Sequence, residues 1–327
     1  MMRRLRGFTL GIALSMSAAC QSKPSAYELY GHPPPILMMP ELAWSGARFG
    51  TYDNAAFARL FTEIGGYDAV FDDGRVMRLQ QGGQGAEIIL EQLPREAPQA
   101  RPPDAESWEP GCYWSLMVRA KDLASIVEDA RPLGWDPRTP IAFLEFGPSQ
   151  LHIVVLTHQE TGAQVQFYER LTTPLPNGYP EFERFGVPFN VMQMSSNAQE
   201  TWEFFRDEMG FEAFYQGDFV TSEEPEVMPL GIPVELTTTV PYRAIIVTPR
   251  RDMETGRFEM IQVQGERAGL KSRDFSANCG PGSVGLTEIR YLKGQGIPFV
   301  GYAGYTVWQL EPSLYVAPDG ARIVIEK

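Results

Sequence analysis

Imidazole is scarce in this 327-residue chain, whose three histidines are His32, His152 and His158. His32 sits in a proline-rich run, GHPPP, and His158 in a turn-like stretch, THQETG. His152 falls in QLHIVVL, a strand-like segment, where it reads either as a hydrogen-bonded interior residue or as a general base titrating near neutrality. Glu259, in GRFEMIQV, is the second group that could move a proton; the plainer reading is a solvent-facing strand residue. Three cysteines, Cys20, Cys112 and Cys279, form no Cys-x-x-Cys pair, which argues against thiol redox chemistry and zinc ribbons. A Cys112–Cys279 disulfide is open, with two buried free thiols the favoured reading. No nucleophile elbow, phosphate-binding loop, H-E-x-x-H or dinucleotide fingerprint occurs in context. GGQG at 82–85 reads as a hairpin turn.

These residues sit in a repeating grammar, clearest over 187–211. An apolar run from Phe189 to Met194 leads to Ser196, an expected helix N-cap with Gln199 three residues on. Ala198, Trp202, Phe205 and Met209 then share one helix face, and Gly210 followed by Phe211 ends the helix. Asp122 caps a similar helix stopped at Gly134, and Asp53 another stopped at Gly66. A weaker copy is expected from Thr287 through Ile289 and Leu292 to Gly296–Ile297. Each unit closes on a glycine and an alternating strand, beginning at Gly85, Gly162, Gly256 and Gly320. Four strand–helix–strands units follow, and a repeat of this kind fixes the architecture. The fold class is α+β: four βαβββ modules paired into two cup-shaped mixed-sheet domains. Pairing in chain order gives domains at 41–171 and 184–327, separated by the proline-containing segment 171–186. The third unit carries a longer middle, 217–242, rich in proline and acid, expected as a lid, a rim or a solvated loop. The segment 302–308, YAGYTVW, reads as an aromatic core strand.

The first nineteen residues read as a cleaved signal, with a basic start (Arg3, Arg4, Arg6) and a short apolar run. Ser17-Ala18-Ala19-Cys20 resembles a bacterial lipobox, which implies lipidation at Cys20 and a lipid anchor in the membrane. Gln21 in place of aspartate points to the outer membrane, with the domains facing the periplasm. Residues 20–40 read as a proline-rich tether. Loss of the first nineteen residues takes the formal net charge from −13 to −16, which argues against nucleic acid as a partner.

SLMVRAKDLASIVEDARPLGW and FNVMQMSSNAQETWEFFRDEMGF resemble the first strand and helix of the vicinal oxygen chelate superfamily, which includes glyoxalase I, bleomycin-resistance proteins and extradiol dioxygenases. The resemblance implies paired βαβββ units forming a cup, with a divalent metal held by a His in a first strand and a Glu in a last strand. The His-equivalent positions here are Ser115 and Asn190. The Glu-equivalent positions are Gln166, Glu259, Glu87 or Ile89, and a position near Val324. Ser115, Gln166, Asn190 and Glu259 are therefore the expected ligand-binding residues, with no metal site and no cofactor. The resulting expectation is a lipid-anchored envelope protein that binds a small molecule in its cup. The alternative is a lyase, isomerase or dioxygenase with a remodelled site around His152 and Glu259, which would need a divalent metal. A scaffold with closed cups is a third reading, and homodimerisation stays open.

Overall fold

The computed structural model describes residues 42–175, 179–249, 255–293 and 313–326. The signal segment 1–19, Cys20, the tether 20–40 with His32, the turn at Gly296–Ile297 and the aromatic segment 302–308 lie outside the described residues. No helix among the described residues is long and apolar enough to cross a membrane.

The first module runs β1 (Leu42–Thr51), α1 (Asn54–Arg59), β2 (Asp68–Asp72), β3 (Val76–Gln81) and β4 (Gln84–Gln92). The second contains β5 (Tyr113–Ala120), α2 (Leu123–Ala130), β6 (Trp135–Pro137), β7 (Ala142–Phe146), β8 (Ser149–His158) and β9 (Gln164–Arg170). The third contains β10 (Phe185–Met194), α3 (Ala198–Met209), β11 (Glu212–Gln216), β12 (Tyr242–Thr248) and β13 (Arg257–Val263). The fourth contributes β14 (Gly285–Lys293), β15 (Ser313–Val316) and β16 (Arg322–Glu326).

Local chemistry explains the boundaries. The Asp53 and Asp122 carboxylates accept from the amides of Ala56 and Ser125, satisfying backbone donors that the first helical turn leaves open. Helix α1 continues as a π-helical turn, Leu60–Ile64, before Gly66 takes a left-handed conformation. Helix α3 is capped by Asn197 rather than Ser196, whose hydroxyl is drawn away to Asp319 at 2.5 Å. At its other end Gly210 is left-handed, and the Phe205 and Phe211 rings meet at 5.2 Å. Thr287–Leu292 is strand, not helix: Ile289 and Tyr291 are buried while Glu288 and Arg290 are less so, a period of two.

Two mixed sheets result. One has the order β15-β16-β14-β1-β4-β3-β2, the other β11-β12-β13-β10-β5-β9-β8-β6, with β7 on β8. Module one therefore joins module four through antiparallel β1 and β14, and module two joins module three through β5 and β10. This corrects the pairing in chain order and with it the division at 171–184. The reason is visible in burial: β5 and β10 are buried along their whole length, as central strands covered on both faces must be. The proline-rich connection 92–111 carries the chain from one sheet to the other.

The helix-bearing faces share one core. Phe57 of α1 meets Trp135 of module two at 5.0 Å, and Phe211 of module three meets Tyr291 of module four at 5.5 Å. Cys112 and Cys279 are joined by a disulfide, with Cα atoms 5.0 Å apart, which corrects the expectation of free thiols. Burial alone does not separate a paired cysteine from a free one, since both are apolar and enclosed.

Candidate ligand site

Side chains alternate across a strand, so the sheet register decides which residues share a face. In the nine-stranded sheet Met192 of β10 lies between Ser115 of β5 and Glu259 of β13. In the neighbouring row, Met117 lies between Asn190 and Gln166. The four residues singled out in the sequence, Ser115, Gln166, Asn190 and Glu259, thus occupy four adjacent central strands and one face. That face is the one away from the helices.

They are connected. The Ser115 hydroxyl donates to Gln166 Oε1 at 3.1 Å, and Gln166 Nε2 donates to the Tyr168 hydroxyl at 2.9 Å. Asn190 is 6% exposed and its Oδ1 finds no partner among the described residues. Arg119 stacks its guanidinium 3.9 Å from the centre of the Phe189 ring, and Arg257 stacks at 3.8 Å over Phe214. Burial pushes the Glu259 carboxyl up to about 7, with the nearby Arg257 charge opposing the shift. Burial also holds the Tyr168 phenol well above its ordinary range, and the nearby Glu259 charge adds to this. Tyr168, Arg119, Arg257 and Phe189 were not singled out in the sequence. The first three were within reach, because Tyr168 stands two residues from Gln166, Arg119 four from Ser115 and Arg257 two from Glu259.

His152 is not part of this site. It pairs across the sheet with Glu169, on the helix side of β8, and its ring touches Phe143. Its Nδ1 lies 3.3 Å from a Glu169 oxygen, and its side chain is 41% exposed. The segment is a strand, as expected, and Ile153 and Val155, not His152, share the face of Tyr168 and Gln166. His158 is buried at the end of β8, bonded to Thr161 and packed on Phe57 and Trp135.

The insertion 217–242 covers part of the same face. Met228, Leu230, Ile232 and Val240 pack with Trp114, Met117, Met192, Met194, Ile261 and Val263 in a second apolar cluster. The face therefore has a filled apolar end and a polar end around Glu259.

A first-row metal wants imidazole or several convergent carboxylates. The residues at the positions that the resemblance makes equivalent to metal ligands do not fit. They offer one carboxylate, raised rather than lowered by its surroundings, and neutral groups of which Ser115 and Gln166 are bonded to each other. No three His, Cys, Asp or Glu side chains converge among the described residues.

The seven-stranded sheet presents a different surface. Arg48 bridges Glu91 and Glu288, and Arg290 bridges Glu288 and Glu326. Glu87, one of the two register choices in module one, is paired with Arg78, while Ile89 and Val324 are buried and apolar. This face is a lattice of ion pairs, not an aromatic-lined cup.

No family model matches the chain, and no curated protein matches it in sequence. Solved structures do match in fold. Glyoxalase I from Zea mays aligns over 88% of this chain and 92% of its own, with 11% identity and a TM-score of 0.53. A single-substitution mutant of the same maize enzyme aligns over 88% and 94%, with 13% identity and a TM-score of 0.52. With two mixed sheets built from βαβββ-type units and this likeness in structure, the chain has the vicinal oxygen chelate fold.

Proposed function

We propose that this chain is a small-molecule-binding protein of the cell envelope, whose ligand lies against the polar end of the nine-stranded sheet and is held without a metal. The observation that carries the reading is the arrangement of Ser115, Gln166, Asn190 and Glu259. They share one face at the positions that the resemblance makes equivalent to the superfamily's metal ligands, and Ser115 and Gln166 are hydrogen-bonded to each other. Asn190 Oδ1 offers an unused acceptor, and the protonatable Glu259 can donate or accept near neutral pH. Aromatic faces from Phe189 and Tyr168 supply apolar contact, as small-molecule sites require. The placement in the envelope rests on the signal-like start and lipobox-like sequence before Cys20. The disulfide supports it, because such bonds persist in oxidising compartments.

The test is to extract small molecules from the purified full-length chain and identify them by mass spectrometry. One compound near stoichiometric amount, lost in Asn190→Ala, supports the reading. A chain that carries nothing, and that no compound raises in melting temperature, overturns it. For the anchor, Cys20→Ala is expected to release the chain from the membrane fraction; unchanged membrane association would refute lipidation there.

A second reading has its own observation. A carboxyl near 7 is well matched to proton transfer, so Glu259 could serve as general acid or base on the bound molecule. In that case turnover follows a pH limb near 7 that Glu259→Gln abolishes and His152→Ala leaves in place.

A further inference from the structure

A cavity of about 650 Å³ lies beyond the apolar end of the same sheet, away from Glu259. Its walls are the 103–106 part of the connection, residues 136–140 and 157–159 of module two, and 227–234 of the insertion. Buried polar atoms without a protein partner gather around it. The Thr139 and Thr157 hydroxyls line it, and Thr157 is 6% exposed. Gln164, opposite Thr157 in the sheet, has neither its amide oxygen nor its nitrogen bonded. Trp114 Nε1 is also unpaired, and the Arg101 and Arg138 guanidiniums lie 5.0 and 4.8 Å from the centre of the Trp114 ring. Native interiors rarely leave such groups unsatisfied, so a concentration of them marks a place that something else completes.

The charges around the cavity indicate what. Glu106 is paired with Arg138 at 2.8 Å, Asp104 with Arg273 at 3.2 Å and Asp136 with Arg131 at 3.4 Å. Every lining carboxylate therefore already has a cation, and the lining arginine already has an anion. The groups left over are the Thr139 and Thr157 hydroxyls, the Gln164 amide and one guanidinium N–H, Arg138 Nε, whose charge Glu106 already balances, beside Val227, Ile232 and proline faces. The volume is that of a pocket for a small organic molecule.

We propose that this cavity binds an uncharged small molecule that carries hydroxyl or amide groups and an apolar flank, with the Thr139 and Thr157 hydroxyls turning to it. The site is separate from the one around Glu259.

Saturation-transfer NMR on the full-length chain tests this, with N-acetylglucosamine, glucose and acetamide as probes and citrate as a charged control. The expected result is a saturable signal from at least one neutral probe and none from citrate, unchanged in Glu259→Gln. The Thr139→Val/Thr157→Val double variant should weaken binding by roughly tenfold or more, as the loss of hydrogen bonds to a ligand would. Its melting temperature should stay level or rise, because valine removes partnerless hydroxyls without changing shape. No signal from any neutral probe, equal binding by the double variant, or a preference for citrate would overturn the proposal. So would a double variant that melts lower, since the hydroxyls would then be holding internal water as part of the fold.

Discussion

Two buried titratable groups pull the pH dependence of stability in opposite directions. Burial raises Glu259 from 4.5 to about 7, so the folded chain holds that proton more tightly than the unfolded chain. As pH rises from about 4.5 to about 7 the unfolded state releases it first, and stability falls. The residue keeps some solvent contact, so the effect is about 1–3 kcal/mol, and Glu259→Gln should flatten this alkaline-going loss. His158 is depressed by burial from 6.5 to about 4, so the unfolded chain is protonated first on acidification. Its contribution is present above about 6.5 and is lost as pH falls towards 4, again by about 1–3 kcal/mol. His158→Gln should remove that acid limb. Urea denaturation of each variant from pH 4 to 8 separates the two, and parallel curves for wild type and both variants would contradict the assignment. At this scale the sequence was partly legible. The resemblance points to Ser115, Gln166, Asn190 and Glu259, and the sheet register puts them on one face. His152 falls on the other face of its strand, opposite Glu169, a placement set by the register against β9 that the local sequence does not contain.

The helices were legible where capping is local and illegible where a distant residue competes. Asp53 and Asp122 cap as their sequences indicate. Ser196 should cap by the same logic, but Asp319, more than a hundred residues away, accepts from the Ser196 amide at 3.0 Å and from the Ser195 hydroxyl at 2.7 Å. Asn197 takes over by accepting from the Glu200 amide. Asn197→Ala should therefore cost about 1 kcal/mol, the usual price of a lost N-cap, measured by chemical denaturation. An effect of Asn197→Ala near zero would show that the helix start is held through Asp319 alone. The fourth module was misread at Thr287 for a related reason. Ile289 and Leu292 are three apart, which suits a helix, but Glu288–Arg290 ion pairing and the parallel partner β16 fix a strand there. The insertion 217–242 shows the reverse case. Its proline and acid content suggests solvent exposure, while Met228, Leu230, Ile232 and Val240 pack onto the sheet.

On the scale of the molecule, repeat recognition gave the modules but not their partners. Strand pairing between modules depends on which first strands are buried on both faces, and that is a tertiary property. The disulfide follows from the same topology: Cys112 precedes β5 of one sheet, and Cys279 precedes β14 of the other. It closes a sequence separation of 167 residues and ties the two sheets together. Replacing both cysteines by serine should lower stability by about 2–5 kcal/mol, with wild type under reducing conditions falling to match. Equal melting of wild type with and without reductant would show that the bond carries no stability.

Under the proposed reading, the positions that the resemblance makes equivalent to the superfamily's metal ligands hold polar groups centred on Glu259 and no metal. Elemental analysis of the full-length chain, purified without a histidine tag or added metal, decides this. The predicted result is no first-row transition metal at stoichiometric level, before or after incubation with iron, manganese, nickel or zinc followed by desalting. About one tightly held metal ion per chain, lost in Glu259→Gln, would contradict the claim and place Glu259 among its ligands.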